Sequence, residues 1–298
     1  MTPVRPYEHS RDYERVSAFL TDIYEPEPHL TNWLQPRWEY MHAHPLIVGT
    51  PLERIGITED GGGVVGVVHF EHNPAFVYLQ VRPGHDAAKT AMVDWAEDHL
   101  GGVSQSLGRP VLGLYVNELD AALEDIVANR GFSLLADYEE EHALLALSAT
   151  IDAGSLPTGY HLQSLEDEND LSKINRVLWR GFGHEGPPPD SEIPGRARVE
   201  AAPNFRRDLT TVAVAPDGEY AAYAGMWHDL HNRVAYVEPV ATDPDHRRLG
   251  LGAACVRESL RRVEADGAEV AWVGSGLDFY KSMGFEVVNT AHLWVRDL

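Results

Sequence analysis

The 298-residue sequence predicts a mixed α/β protein of the α+β class, assembled from two tandem copies of one unit. Three observations carry this. Hydrophobic periodicity switches along the chain between alternation and a helical spacing, so strands and helices are interspersed. The order of elements in residues 1–152 recurs in residues 153–298, with "NRGFSLL" from Asn129 and "SMGFEVV" from Ser282 at matching places, a repeat of about half the chain. Between the halves lies "SATIDAGSLPTGY", where small, polar and turn-forming residues replace the strand pattern, which puts the boundary near Ala153.

Each element follows from local pattern. In the first half a strand near "TPVRPY" precedes a helix from about Ser10 to Tyr24, then a loop and "TNWLQPRWEYMHAH". "ERIGITEDGGGVVGVVHFEH" is a hairpin turning at Gly61 to Gly63, and "AFVYLQVRPG" is a strand. Helix "DAAKTAMVDWAEDHL", strand "PVLGLYVN", helix "LDAALEDIVANRGF" and the long strand "SLLADYEEEHALLAL" complete this copy. The second half opens with strand "YHLQSL" and a helix from about Glu168 to Arg180, which the Pro- and Gly-rich "GFGHEGPPPDSEIPG" ends as an irregular loop. "TTVAVAP" and "EYAAYAGMWHD" form a hairpin with a type I′-like signal at Asp217-Gly218. Strand "RVAYVEPVATD", a helix over "DPDHRRLGLGAACVRESLRRVE", buried strand "AEVAWVG", the short helix "GLDFYKSMGF" and strand "FEVVNTAHLWVRD" follow.

Composition narrows the function. The formal charge of -22 repels a phosphate backbone, so nucleic acid is not an expected partner, whereas a cationic small molecule is attracted. No run of about 18 apolar residues suggests a membrane span, and "MTPVRPYEHSRDYE" is too polar for a secretory signal, so a cytoplasmic protein without membrane attachment is expected. The single cysteine, Cys255, forms no internal disulfide and no cysteine-based zinc site, and it reads as a small buried helix residue. No metal is expected. Whether the chain is a monomer or a homodimer is left open.

The chemically informative stretch is "DPDHRRLGLGAACVRESLRRVE". Leu249, Ala253, Val256, Leu260 and Val263 recur at helical spacing and mark one buried face. Gly250 and Gly252 then stand at the start of a helix, where free backbone N–H groups and the positive dipole end favour an anion. With Arg247 and Arg248 adjacent, the loop is expected to serve as a pyrophosphate cradle. A Walker loop is excluded because no lysine follows the glycines. A dinucleotide fingerprint fits poorly, because Cys255 occupies its third small position and seven residues separate the strand from the first glycine. The third pattern, [R/Q]-x-x-G-x-[G/A], is met by Arg247, Arg248, Leu249, Gly250, Leu251 and Gly252.

With that loop and with "DFYKSMGF" one helix and one strand later, residues 158–298 resemble the GNAT N-acetyltransferase superfamily, and the repeat makes this a tandem-domain type. The resemblance implies two GNAT-like domains, each a mixed, mostly antiparallel sheet flanked by helices. It implies acetyl-CoA as co-substrate, with its diphosphate on the backbone of Arg247, Arg248, Leu249, Gly250, Leu251, Gly252 and Ala253, and its pantetheine arm beside Val240, Ala241 and Thr242. Pro239 agrees with this, because it donates no ladder hydrogen bond and so breaks the pairing of its strand or places it at an edge. The resemblance further implies Glu238 as general base and Tyr280 as the acid for the leaving thiolate. In "VGSGLDFY" the asparagine common in the family is absent, and Ser275 stands in the loop that contacts the cofactor. Trp179, Phe182, His184 and Glu185 fall where the family builds its acceptor walls; His228 and His231, at the end of the hairpin strand, are candidates to line the acceptor site, with solvated turn histidines as the plainer reading. The expected reaction is direct acetyl transfer, in a ternary complex, to a primary amine of a small molecule or peptide. The alternatives are a non-catalytic acyl-CoA sensor and transfer of another acyl or aminoacyl group.

The first copy lacks this equipment. Where the second has "RRLGLG" it reads "RPGHDAA", and Ile126 stands near the place of the motif tyrosine. Asp86 is expected to cap the helix there and repel a pyrophosphate. The N-terminal half is therefore expected to be a degenerate domain that holds no acetyl-CoA.

Overall fold

The computed structural model describes residues 3–26, 31–147, 151 and 154–298. Ala153, where the sequence places the boundary, lies outside the described residues. The chain divides into two compact units: residues 1–41, 46–142 and 287–298 form the first, and residues 42–45 and 143–286 form the second.

Elements follow the sequence expectation closely. The chain runs β1 (Arg5–Pro6), α1 (His9–Asp22), α2 (Gln35–Ala43), β2 (Gly56–Asp60), β3 (Gly63–Phe70), β4 (Phe76–Val81) and α3 (Ala87–His99). It continues with β5 (Gly102–Ser104), β6 (Arg109–Asn117), α4 (Ala121–Asn129) and β7 (Ser133–Ala146). Next come β8 (His161–Ser164), α5 (Leu171–Gly181), α6 (Ile193–Glu200), β9 (Thr211–Val214), β10 (Tyr220–Asp229) and β11 (Val234–Thr242). The last elements are α7 (Leu251–Ala265), β12 (Val270–Val273), α8 (Asp278–Lys281) and β13 (Glu286–Asp297). Among the described residues no helix is long and apolar enough to cross a membrane.

In the first unit the sheet order is β1-β2-β3-β4-β6-β13-β7, and β5 pairs with the first residues of β6, over Gly102–Val111 to Ser104–Arg109. β4 and β6 run parallel, over Phe76–Gly113 and Val77–Leu114. Its core gathers Trp38, Ile55, Ile57, Phe70, Met92 and Leu114, all sealed from solvent. In the second unit the order is β12-β11-β10-β9-β8, with residues 143–146 of β7 antiparallel to β12. Here only β11 and β12 run parallel. Tyr223, Trp227, Val237, Cys255 and Leu260 are buried between this sheet and its helices. Each unit is thus a mixed, mostly antiparallel sheet flanked by helices, and the last strand of each comes from beyond the simple midpoint of the chain. β13 serves the first unit, and the end of β7 serves the second.

Three local expectations are corrected. The helix expected from Asp243 starts only at Leu251, because residues 244–246 form a separate 3-10 turn and Gly250 has a left-handed φ of 77°. Leu249 therefore precedes the helix and is exposed, while Leu251, Cys255 and Ser259 share the buried face with Val256, Leu260 and Val263. At Asp217-Gly218 only the glycine has positive φ, so the turn is not type I′, which needs two such residues. The stretch expected to be irregular after Arg180 regains order at α6, whose Pro194 sits in the first turn, where a missing N–H costs nothing.

Candidate active site

All the predicted site residues fall in the second unit, several of them along the stretch where β11 and β12 part; His228 lies instead where the two strands are still paired. Their parallel pairing covers Val234–Val270, Ala235–Ala271 and Tyr236–Trp272. β12 ends at Val273 while β11 runs on to Thr242. Backbone groups of β11 beyond Tyr236 on that side therefore face a cleft in place of a neighbouring strand, and Val240, Ala241 and Thr242 lie along this stretch.

Pro239 breaks the ladder on the other side of the same strand. β11 is an interior strand, so the break takes the form of a register shift, with Ala224 opposite Val240 but Met226 opposite Val237. Glu238 and Pro239 thus face the single residue Gly225, and the Glu238-Pro239 peptide is cis. Gly225 is required by space, because a Cβ there would lie 2.4 Å from the Glu238 carbonyl oxygen and 2.9 Å from Pro239 Cδ. The indole of Trp227 donates to the Glu238 carbonyl at 2.7 Å and replaces the strand hydrogen bond lost in the bulge. Glu238 is half-buried at this kink.

Tyr280 sits on α8, buried, in edge contact with Phe279 and Phe285. Burial raises its hydroxyl pKa well above the ordinary tyrosine value, and the negative charge of Glu238 raises it further. The structure thereby brings the two candidate catalytic groups within electrostatic reach of each other. A hydroxyl so shifted stays protonated across the neutral range and keeps a proton to give. Ser275 lies in the loop before α8, where its hydroxyl accepts from the Leu277 amide at 3.4 Å.

The loop before α7 is built around two left-handed residues, Arg248 at φ 63° and Gly250 at φ 77°. Ala254 donates to the Gly250 carbonyl at 3.0 Å, and no side chain caps α7. The amides of Leu251, Gly252 and Ala253 thus belong to the first turn, which has no intrahelical acceptor. Gly252 packs on the strand so closely that a Cβ would lie 2.7 Å from Thr242 Oγ1. Arg248 is exposed, whereas the Arg247 guanidinium donates to the Gly181 carbonyl at 2.8 Å and reaches the Thr242 carbonyl at 3.4 Å.

Of the acceptor candidates, Trp179 and His184 are brought together, stacked 4.4 Å apart, and the Trp179 indole donates to the Gly186 carbonyl at 3.1 Å. Phe182, His184 and Glu185 are exposed just beyond α5. His228 is not a solvated turn residue. It is 2% exposed on β10, and its Nδ1 lies 2.7 Å from Asp266, a partner that only the fold supplies. Cys255 is buried as expected, and burial raises its thiol pKa far above the reactive range.

Sequence reasoning missed Gly225, Trp227 and Asp243. Gly225 lies one strand away from the residue it accommodates, and nothing in its own neighbourhood marks it. The signal for Trp227 was faint but present, since an indole on a strand next to one broken by proline has a carbonyl to bond.

The corresponding place in the first unit differs in kind. β4 also outruns its parallel pairing with β6, leaving a cavity of about 380 Å³ lined by Asn32, Val81, Arg82, Lys89 and Asp120 among others. There the Asn32 carboxamide holds both backbone groups of Val81, accepting from its N–H at 2.8 Å and donating to its carbonyl at 3.2 Å. Asp86 is not a helix cap, contrary to expectation. Its backbone is helical and its carboxylate binds Lys89 Nζ at 2.6 Å, with Asp120 on the same amine at 2.7 Å. The amides of Ala88 and Lys89 are instead taken by the carbonyls of His85 and Asp86. Ile126 packs against the core.

Residues 171–285 match the model of the acetyltransferase (GNAT) family. The chain thus carries a GNAT domain in its second half, the class that the loop, the bulge and α8 had defined. Its whole length has the tandem GNAT fold. It is similar to a GCN5-related N-acetyltransferase from Sphaerobacter thermophilus, with a TM-score of 0.64 and 14% identity over 100% of this chain and 99% of that one. It is also similar to a tandem GNAT protein from the clavulanic acid biosynthesis pathway, with a TM-score of 0.65 and 16% identity over 98% and 97% of the two chains. Among curated proteins no relative matches the chain by sequence.

Proposed function

We propose that the second unit transfers an acetyl group from acetyl-CoA to a primary amine by direct attack in a ternary complex. The observation that carries this reading is the coincidence of three features on one strand-loop-helix path. These are the parting of β11 from β12, the uncapped glycine start of α7, and the pair Glu238 and Tyr280 beside them. The amide-rich arm of the cofactor extends β11 along Val240 to Thr242, and its diphosphate meets the loop amides up to Ala253. The neutral amine attacks the thioester carbonyl, and Glu238 takes the amine proton, directly or through water. The tetrahedral intermediate then collapses as the C–S bond breaks, and the Tyr280 hydroxyl protonates the departing sulfur. Trp179, Phe182, His184 and Glu185 face the acceptor from the α5 end. The acceptor is a small cationic amine, since the chain carries a formal charge of -22, and the reaction belongs in the cytoplasm.

The first unit holds no acetyl-CoA in this reading. Asn32 already occupies the strand edge, the Ala88 and Lys89 amides are taken, and the carboxylates of Asp86 and Asp120 hold Lys89 beside them. Calorimetric titration with acetyl-CoA is therefore expected to give one site per chain, abolished by Gly252→Trp. Two sites would overturn the reading of the first unit, and none would remove the basis for acetyl transfer.

The titration of Tyr280 gives a separate expectation. Its pKa is raised on folding, so the protonated form and its contribution to stability persist below about pH 10, the unfolded value, and are lost only as pH rises towards the folded value. A kcat profile should accordingly show no alkaline fall from this group up to about pH 10. Tyr280→Phe should lower kcat by about 100-fold, the low end of acid–base contributions. An alkaline limb near pH 8 that vanishes in Tyr280→Phe would contradict the assignment.

A further inference from the structure

The phosphate loop has an unfavourable backbone, and something must hold it. Arg248 adopts a left-handed φ of 63°, unusual for a residue with a long side chain, one position ahead of Leu249 and the left-handed Gly250. Successive amides in such a conformation converge into an anion-binding hollow, but only while the conformation is kept.

The restraint is Asp243, the first residue after β11. Its carboxylate is fully buried. It accepts from Arg180 Nε at 2.7 Å and Nη2 at 3.1 Å, and from the Asp245 amide at 3.0 Å, and it lies 3.3 Å from the Arg176 guanidinium. Arg180 also holds Asp245 at 2.6 Å. Both arginines belong to α5. The clasp is closed from the other side by Arg247, whose guanidinium donates to the Gly181 carbonyl at the end of α5. Gly181 itself must be glycine, because a Cβ would lie 2.7 Å from that of Ala241. Burial raises the Asp243 pKa, but the Arg180 hydrogen bonds, the Asp245 amide and the charges of Arg180 and Arg176 outweigh it and hold the carboxyl below its ordinary value.

We propose that Asp243 is a positioning residue: its clasp with Arg180 and Arg176 holds the 247–252 loop in the conformation that grips the cofactor diphosphate. The claim rests on the acyl-CoA reading above. It makes a selective demand, since a ligand without the diphosphate does not use the loop.

The test compares Kd values for acetyl-CoA and S-acetylpantetheine, which keeps the thioester arm and lacks the diphosphate, in the full chain and in Asp243→Asn. Asp243→Asn is expected to weaken acetyl-CoA binding at least tenfold and to change S-acetylpantetheine binding less than twofold. Arg180→Met removes the partner from a half-exposed position on α5, keeps the fold readable if the aspartate variant does not fold, and should show the same selective loss. Equal loss for both ligands, or no loss for either, overturns the proposal. Wild-type protein that binds neither ligand overturns the acyl-CoA reading and this inference with it. A wild type that prefers acetyl-CoA beside variants with an unchanged ratio overturns this inference alone.

Discussion

Replacing Glu238 by glutamine is expected to lower kcat by about 100- to 10,000-fold, the range over which a positioned general base acts. The KM for acetyl-CoA should stay within a few-fold of wild type. The substitution keeps size and hydrogen-bonding capacity at the kink, so the bulge should survive, and what disappears is the group that accepts the proton of the amine. It also removes the charge that helps raise the Tyr280 pKa, so the tyrosine should titrate lower in the variant. The measurement is release of CoA thiol with whichever amine a screen selects, over a range of pH. A kcat within tenfold of wild type at neutral pH would assign the proton to water or to another residue.

The second large effect is expected at Gly225. An added methyl group meets backbone atoms on the facing strand, with the Glu238 carbonyl carbon at 2.8 Å and its oxygen at 2.4 Å, and backbone cannot rotate away as a side-chain end can. Gly225→Ala should therefore displace the bulge. Overpacking of a tight interior typically costs about 1–3 kcal/mol, which for a unit of 150 residues or so corresponds to a drop in Tm of about 2–12 °C. Because the bulge carries Glu238 and aims the free stretch of β11, acetyl-CoA affinity should fall as well. Thermal unfolding and calorimetry on the same sample read both. A variant with wild-type Tm and Kd would show that the bulge tolerates a Cβ and has no part in placing the cofactor strand.

Much of this architecture was legible because the relevant physics is local. Alternation and helical spacing located nearly every strand and helix, and Pro239 announced a broken ladder from its missing donor alone. The loop "RRLGLG" marked a helix start with free amides, because those amides and glycine are properties of consecutive residues. Readings went astray where a neighbour in sequence was mistaken for a neighbour in space. Asp86 precedes a helix and so reads as its cap, yet its carboxylate turns to Lys89. His228 sits in a polar stretch and reads as solvated, yet β10 carries it into the interior against Asp266. Leu249 fits the spacing of the α7 face, but the left-handed Gly250 holds the helix start back to Leu251 and leaves it outside.

Two similar α+β units in one chain could be read from the residues alone, as could the glycine loop, the glutamate and the tyrosine of the second. Tertiary structure alone decided which strands complete which unit. β7 and β13 have the same alternating character, and ladder hydrogen bonds come from backbone groups that every residue shares. Nothing in either strand records that β13 pairs with β6, or that the end of β7 pairs with β12. Asp243 belongs to the same category. On its own it is one more aspartate before a proline, and it gains its buried partners only because α5 lays two arginines against it.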